Sequence, residues 1–92
     1  MTSRAVTVTN QLGLHARAAA RFVHVAAKYD CQIRVGREAK VMDGKSIMGI
    51  LLLAAARGTT ITISADGPDE TAAVEALCGL VLAGFGEESW SG

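Results

Sequence analysis

The chain has 92 residues, half of them hydrophobic but only four aromatic, with nine basic and nine acidic side chains and a formal net charge of zero. That length makes one domain, residues 1–92, which buries roughly 60–65% of its unfolded surface around a core of Val, Ile, Leu and Ala. The charge balance excludes a basic nucleic-acid-binding surface, and the longest apolar run, residues 47–56, is too short to cross a bilayer.

Val6-Thr7-Val8-Thr9 alternates apolar and polar side chains and predicts a first strand, with Asn10-Gln11-Leu12-Gly13 as its turn. Residues 16–28 hold no Gly or Pro and are rich in Ala, which predicts the first helix. Residues 32–36 form a second strand with Ile33 and Val35 inward, and Lys40-Val41-Met42 a short third one. Ser46 is placed to cap a short helix over residues 46–56, with Ile47, Ile50, Leu53 and Ala54 as its inward stripe and Gly58 as its left-handed terminator.

Residues 60–65 are the clearest strand, alternating with β-branched side chains. Gly67-Pro68-Asp69 leads into a last helix over residues 70–83. Its apolar stripe is Val74, Leu77, Cys78 and Val81, with Gly84 as its capping glycine and Phe85 able to fold back. The order is β-α-β-β-α-β-α, an α+β two-layer sandwich with a mainly antiparallel sheet. Pattern alone does not choose among the strand orders. Cys31 and Cys78 stand apart from each other and from any paired histidine, so neither a metal site nor a disulfide framework is expected, and Cys78 reads as a small core residue. Together with the missing apolar core of a signal peptide, this fits a cytoplasmic protein.

The chemistry concentrates in Gly13-Leu14-His15-Ala16-Arg17. His15 falls where the turn gives way to the first helix, beside backbone N–H groups that have no partner within the helix and at the electropositive end of its dipole. A histidine in such a place is ordinarily a solvated cap. Here an anion carried on the imidazole would meet the N–H groups of Ala16, Arg17 and Ala18 and the guanidinium of Arg17. A neutral imidazole is also a nucleophile near pH 7. The arrangement suits a histidine that picks up a phosphoryl group. His24, nine residues on, is half a turn out of phase and reads as a solvated or partner-facing residue.

The element order, Gly13-Leu14-His15-Ala16-Arg17 and Lys45-Ser46-Ile47-Met48-Gly49 together resemble the HPr family of the bacterial phosphoenolpyruvate-dependent phosphotransferase system, from about Val6 to Phe85. The resemblance implies an open-faced two-layer β-sandwich, a four-stranded antiparallel sheet with three helices on one face. It implies a carrier rather than an independent catalyst: His15 accepts a phosphoryl group on Nδ1 from phosphorylated enzyme I and passes it to enzyme IIA-type proteins, Arg17 offsets the charge, and no metal or cofactor is required. It further implies regulatory phosphorylation of Ser46 by an HPr serine kinase, although Ser46 alone reads as an N-cap. It also implies an exposed apolar docking patch of Ile47, Met48 and Leu51 beside His15, rimmed by Arg17 and Lys45, with Leu14 and Arg21 as further contacts. The protein is expected to be a monomer.

Two departures stand out. Ala18 replaces the family's usual proline, and His24, Ala27 and Gly49 stand where many members carry lysine, which implies slower electrostatic steering toward an acidic partner. The alternative function is a regulatory adaptor of the same fold, nitrogen-branch or serine-kinase controlled, acting through protein-protein contacts rather than sugar uptake; a generic binding domain or small enzyme is disfavoured because no second catalytic group accompanies His15.

Overall fold

The computed structural model describes residues 1–89, with side chains described through Gly86; residues 90–92 of the expected 1–92 domain lie outside the described residues. In chain order the elements are β1 (Thr2–Thr7), α1 (Ala16–Ala26), β2 (Gln32–Arg37), β3 (Lys40–Asp43), α2 (Ile47–Leu52), β4 (Thr60–Asp66), α3 (Glu70–Leu82) and a terminal 3-10 segment, Gly84–Ser89. The four strands form one antiparallel sheet in the order β1-β4-β2-β3. This is the expected open-faced sandwich, with the strand order that pattern could not supply.

Period-two alternation divides the sheet into two faces. Val6, Ile33, Val35, Ile61, Ile63 and Ala65 are buried under the helices, where Ala18, Ala19 and Phe22 of α1, Ile50 of α2, and Val74, Leu77, Cys78 and Val81 of α3 meet them in one hydrophobic cluster. The opposite face is bare and rich in hydroxyls. Ser3 faces Ser64 and Thr7 faces Thr60 across β1 and β4, with oxygen–oxygen distances of 2.9 and 3.1 Å.

β1 begins and ends earlier than the predicted residues 6–9. Its first half pairs through the backbone with β4, Thr2 opposite Ala65 and Arg4 opposite Ile63. At this sheet edge the inward positions of residues 2–5 carry polar side chains, so hydropathy alternation cannot reveal them. The start of β1 is also tied to α3, because the Thr2 hydroxyl donates to Glu70 at 2.6 Å.

The helices also end early. α1 stops at Ala26, and the N–H groups of Lys28 and Tyr29 bond the carbonyls of Val25 and Ala26 in a tightened last turn. α2 ends at Leu52, not near residue 56, because Ala54 turns left-handed with φ 51°. Gly58 is left-handed too, φ +88°, but it does not terminate α2: its N–H bonds the Val8 carbonyl at 2.8 Å and steers the chain into β4. Ile50 and Leu53 point inward as expected, whereas Ile47 and Ala54 are exposed, since a six-residue helix cannot bury both its first turn and its exit. Gly84, φ 65°, caps α3 as expected, and Phe85 is buried in the core. No helix among the described residues is long and apolar enough to cross a membrane.

Candidate functional site

The turn that aims His15 is fixed from both sides. Asn10, buried, donates its side-chain amide to the Gly13 carbonyl at 2.7 Å. Gly13 has φ +66°, and the Leu14 N–H bonds the Ala55 carbonyl at 2.9 Å. The loop after α2 is therefore the wall against which the histidine turn rests.

His15 is the N-cap of α1, in extended backbone conformation, and its own carbonyl accepts the Ala19 N–H at 2.8 Å as the first bond of the helix ladder. Its Nδ1 accepts the backbone N–H of Arg17 at 3.2 Å. An accepting Nδ1 carries no proton, so the neutral ring holds its proton on Nε2 and its in-plane lone pair on Nδ1. The nucleophilic nitrogen thus lies at the helix start, close to the N–H groups that an incoming anion would use. The first turn contains no acidic residue, so no carboxylate competes there with an anion. Arg17 and Arg21 are both exposed, four residues apart on one side of α1. Ala18, where the family usually has proline, is buried in the core, and the helix forms without the ring.

Ser46 caps α2, its hydroxyl accepting the Gly49 N–H at 3.1 Å. Gly49 is buried: a Cβ there would lie 3.2 Å from the Asp43 carbonyl and 3.3 Å from the Met42 Cβ, so α2 sits closer on β3 than a lysine would comfortably allow. Met48 is 67% exposed and Ile47 43%, which makes both available at the surface.

Three of the expected docking residues are placed differently. Leu14 is only 6% exposed and belongs to the core, because the bond from its N–H to Ala55 lays the turn flat on the loop after α2. Leu51 is half-buried and packs on the core, while Leu52, not singled out from the sequence, is 57% exposed one turn beyond Met48. The 48/52 spacing is the signal that could have found it. Lys45 does not rim His15. Its Nζ donates to the Tyr29 carbonyl at 2.8 Å, beyond the C-terminal end of α1, and an eleven-residue helix places that end roughly 16 Å from its start. There the ammonium serves the electronegative end of α1. Leu12, 69% exposed in the histidine turn, is a further apolar side chain at the surface that the sequence pattern does not mark.

With this geometry in place, comparisons with known proteins add an independent line. A family model described as "PTS HPr component phosphorylation site" matches residues 2–82. The phosphocarrier protein HPr of Pseudomonas aeruginosa is 48% identical over 88 residues, covering 95% of this chain and 98% of that protein. The phosphocarrier protein HPr of Cupriavidus necator is 45% identical over 87 residues, with coverage of 95% and 98%. The crystal structure of HPr-C-His from Thermoanaerobacter tengcongensis superposes with a TM-score of 0.90 at 42% identity, over 94% of this chain and 97% of that one.

Proposed function

The chain belongs to the HPr family of the phosphotransferase system, and from that premise we propose that His15 accepts a phosphoryl group from phosphorylated enzyme I and delivers it to an enzyme IIA-type protein in the cytoplasm. Members of this family are carriers and not independent catalysts. The observation that carries the reading is the bond from the Arg17 N–H to His15 Nδ1. It orients an unprotonated nucleophilic nitrogen at the end of α1 where an anion is favoured, so transfer requires no general base.

In the transfer, the Nδ1 lone pair forms the new P–N bond as the bond from phosphorus to the donor breaks. The phosphoryl oxygens then take the N–H of Arg17 and those of Ala16 and Ala18, none of which belongs to the helix ladder. The Arg17 guanidinium offsets the added charge. Ile47, Met48 and Leu52 offer the partner an apolar contact, and Arg17 and Arg21 a basic one. Ser46 is the site for a serine kinase. A phosphate there would sit at the start of α2 and beside that apolar contact, which makes it a control on docking.

Incubation with enzyme I and labelled phosphoenolpyruvate tests the reading. Label is expected on His15 alone, stable to base, labile to acid and absent from His15→Ala. Label that survives the substitution overturns it. Ser46→Asp is expected to slow transfer severalfold with little change in melting temperature; unchanged kinetics at low salt leave Ser46 as a cap.

A further inference from the structure

We propose that Arg37, at the end of β2 and remote in sequence from the histidine turn, is a positioning residue for His15. The proposal rests on the carrier reading of His15. Arg37 is the last residue of β2, opposite Lys40 at the hairpin. Its half-buried side chain crosses to the end of α2, where Nη1 donates to the carbonyls of Leu53 at 2.9 Å and Ala54 at 3.0 Å. Its Nε is buried without a partner among the described residues. A charged donor on two successive carbonyls ties down the end of a helix whose last carbonyls have no partner within it.

The clamped segment is the one that needs holding. Ala54 is left-handed at φ 51°, a conformation that L side chains other than Asn and Asp rarely adopt. The very next carbonyl, that of Ala55, accepts the Leu14 N–H at 2.9 Å, and a Cβ on Gly13 would stand 2.5 Å from it. The His15 N–H in turn bonds the Gly13 carbonyl at 3.0 Å. From guanidinium to imidazole the connection is thus three successive residues, 53 to 55, and the hydrogen bonds of the histidine turn. With Arg37 removed, the left-handed turn at Ala54 is free to relax, the Ala55 carbonyl moves off Leu14, and the ring loses its aim at the Arg17 N–H. Small displacements of a reacting group have large kinetic effects.

The test compares Arg37→Gln, Arg37→Lys and, as a control on the same strand, Arg34→Gln. Two quantities are read: the rate of phosphorylation by enzyme I, and the imidazole nitrogen chemical shifts of unphosphorylated His15, which report which nitrogen is protonated. Arg37→Gln is expected to slow phosphorylation about fivefold and to move the shifts toward a mixture of tautomers. Arg37→Lys, which keeps a charged donor for the carbonyls, should recover most of both. Arg34→Gln should leave both as they are. If Arg37→Gln lowers the melting temperature but leaves rate and shifts at their original values, Arg37 is only a structural cap and the proposal is overturned. Should Arg37→Gln fail to fold in plain buffer, it is compared with the unmodified protein in a stabilising osmolyte; equality of those two proteins in both readouts again overturns it. If enzyme I does not phosphorylate the unmodified protein, the carrier reading falls, and the shifts alone decide the role of Arg37.

Discussion

Gly13 lies against Ala55 so closely that a Cβ on Gly13 would stand 2.5 Å from the Ala55 carbonyl oxygen and 2.9 Å from the Ala56 Cα. The same residue has φ +66°, so glycine is required there for space and for conformation together. Gly13→Ala is therefore expected to cost about 2 kcal/mol or more in chemical denaturation, and to slow phosphorylation of His15 because the turn must open. A loss below about 0.5 kcal/mol would mean that the turn yields freely, within the range of ordinary surface changes.

Ala54 presents the opposite case. It is left-handed, exposed and carries a Cβ that gives nothing to the core. Ala54→Gly is expected to stabilise the fold by about 1 kcal/mol, the relief of left-handed strain outweighing the added freedom of glycine in the unfolded chain. Urea unfolding measures it, and a destabilised variant would contradict the account of how α2 ends.

Met48 and Leu14 should separate cleanly. Met48→Asp places a charge in exposed apolar surface, so binding to enzyme I is expected to weaken while the melting temperature holds. Leu14→Ala removes a buried side chain and is expected to cost about 2–4 kcal/mol of folding stability. If Met48→Asp unfolds the protein, the docking role is wrong.

Lys45 should behave as a tie to the turn that follows α1, not as part of a basic docking rim. Lys45→Met is expected to lower stability by roughly 0.5 kcal/mol through loss of its bond to the Tyr29 carbonyl. Arg17→Met should instead reduce the salt dependence of association with enzyme I. Isothermal titration at two ionic strengths distinguishes the two, and a Lys45 variant with the larger salt effect would reverse the assignment.

Glu70 sets the acid limb of stability. The Thr2 hydroxyl first, then the N-terminal ammonium 3.0 Å away and the Gly67 N–H, hold its carboxyl at about 2, below the usual 4.5. A carboxyl lowered on folding contributes stability that is complete above its unfolded value and is lost as the pH falls. The window is pH 4.5 down to about 2. Glu70→Gln should flatten the pH dependence of the melting temperature across that interval, and an unchanged slope would show that the pairing does not persist in solution.

How much of the fold and the site is legible in the sequence depends on whether the deciding contact lies within a few residues. His15 as a cap is readable because turn, histidine and alanine-rich helix follow one another in the chain. β2, β4 and the stripe of α3 are readable because burial imposes a period. The end of α2 is not, because it is made by Arg37 from another layer acting on an alanine where a glycine would have announced the turn. Lys45 escapes sequence reasoning for a similar reason: its partner, the Tyr29 carbonyl, is a backbone atom that no side-chain pattern marks. Leu14, expected as a docking contact from the family resemblance, is instead turned inward by the bond from its N–H to the Ala55 carbonyl, again a backbone partner that no side-chain pattern marks.

The bond between the Arg17 N–H and His15 Nδ1 has a consequence for the reversibility of transfer. In the empty protein the imidazole occupies the helix end; in the loaded one, phosphoryl oxygens on that same nitrogen would occupy it. The Arg17 N–H thus keeps a partner in either condition, and loading as proposed would demand no melting or rebuilding of the helix. With so little rearrangement of the chain, the proposed loading and unloading of His15 would meet no refolding barrier in either direction. On the proposed carrier reading, the direction of flow is then left to the proteins on either side.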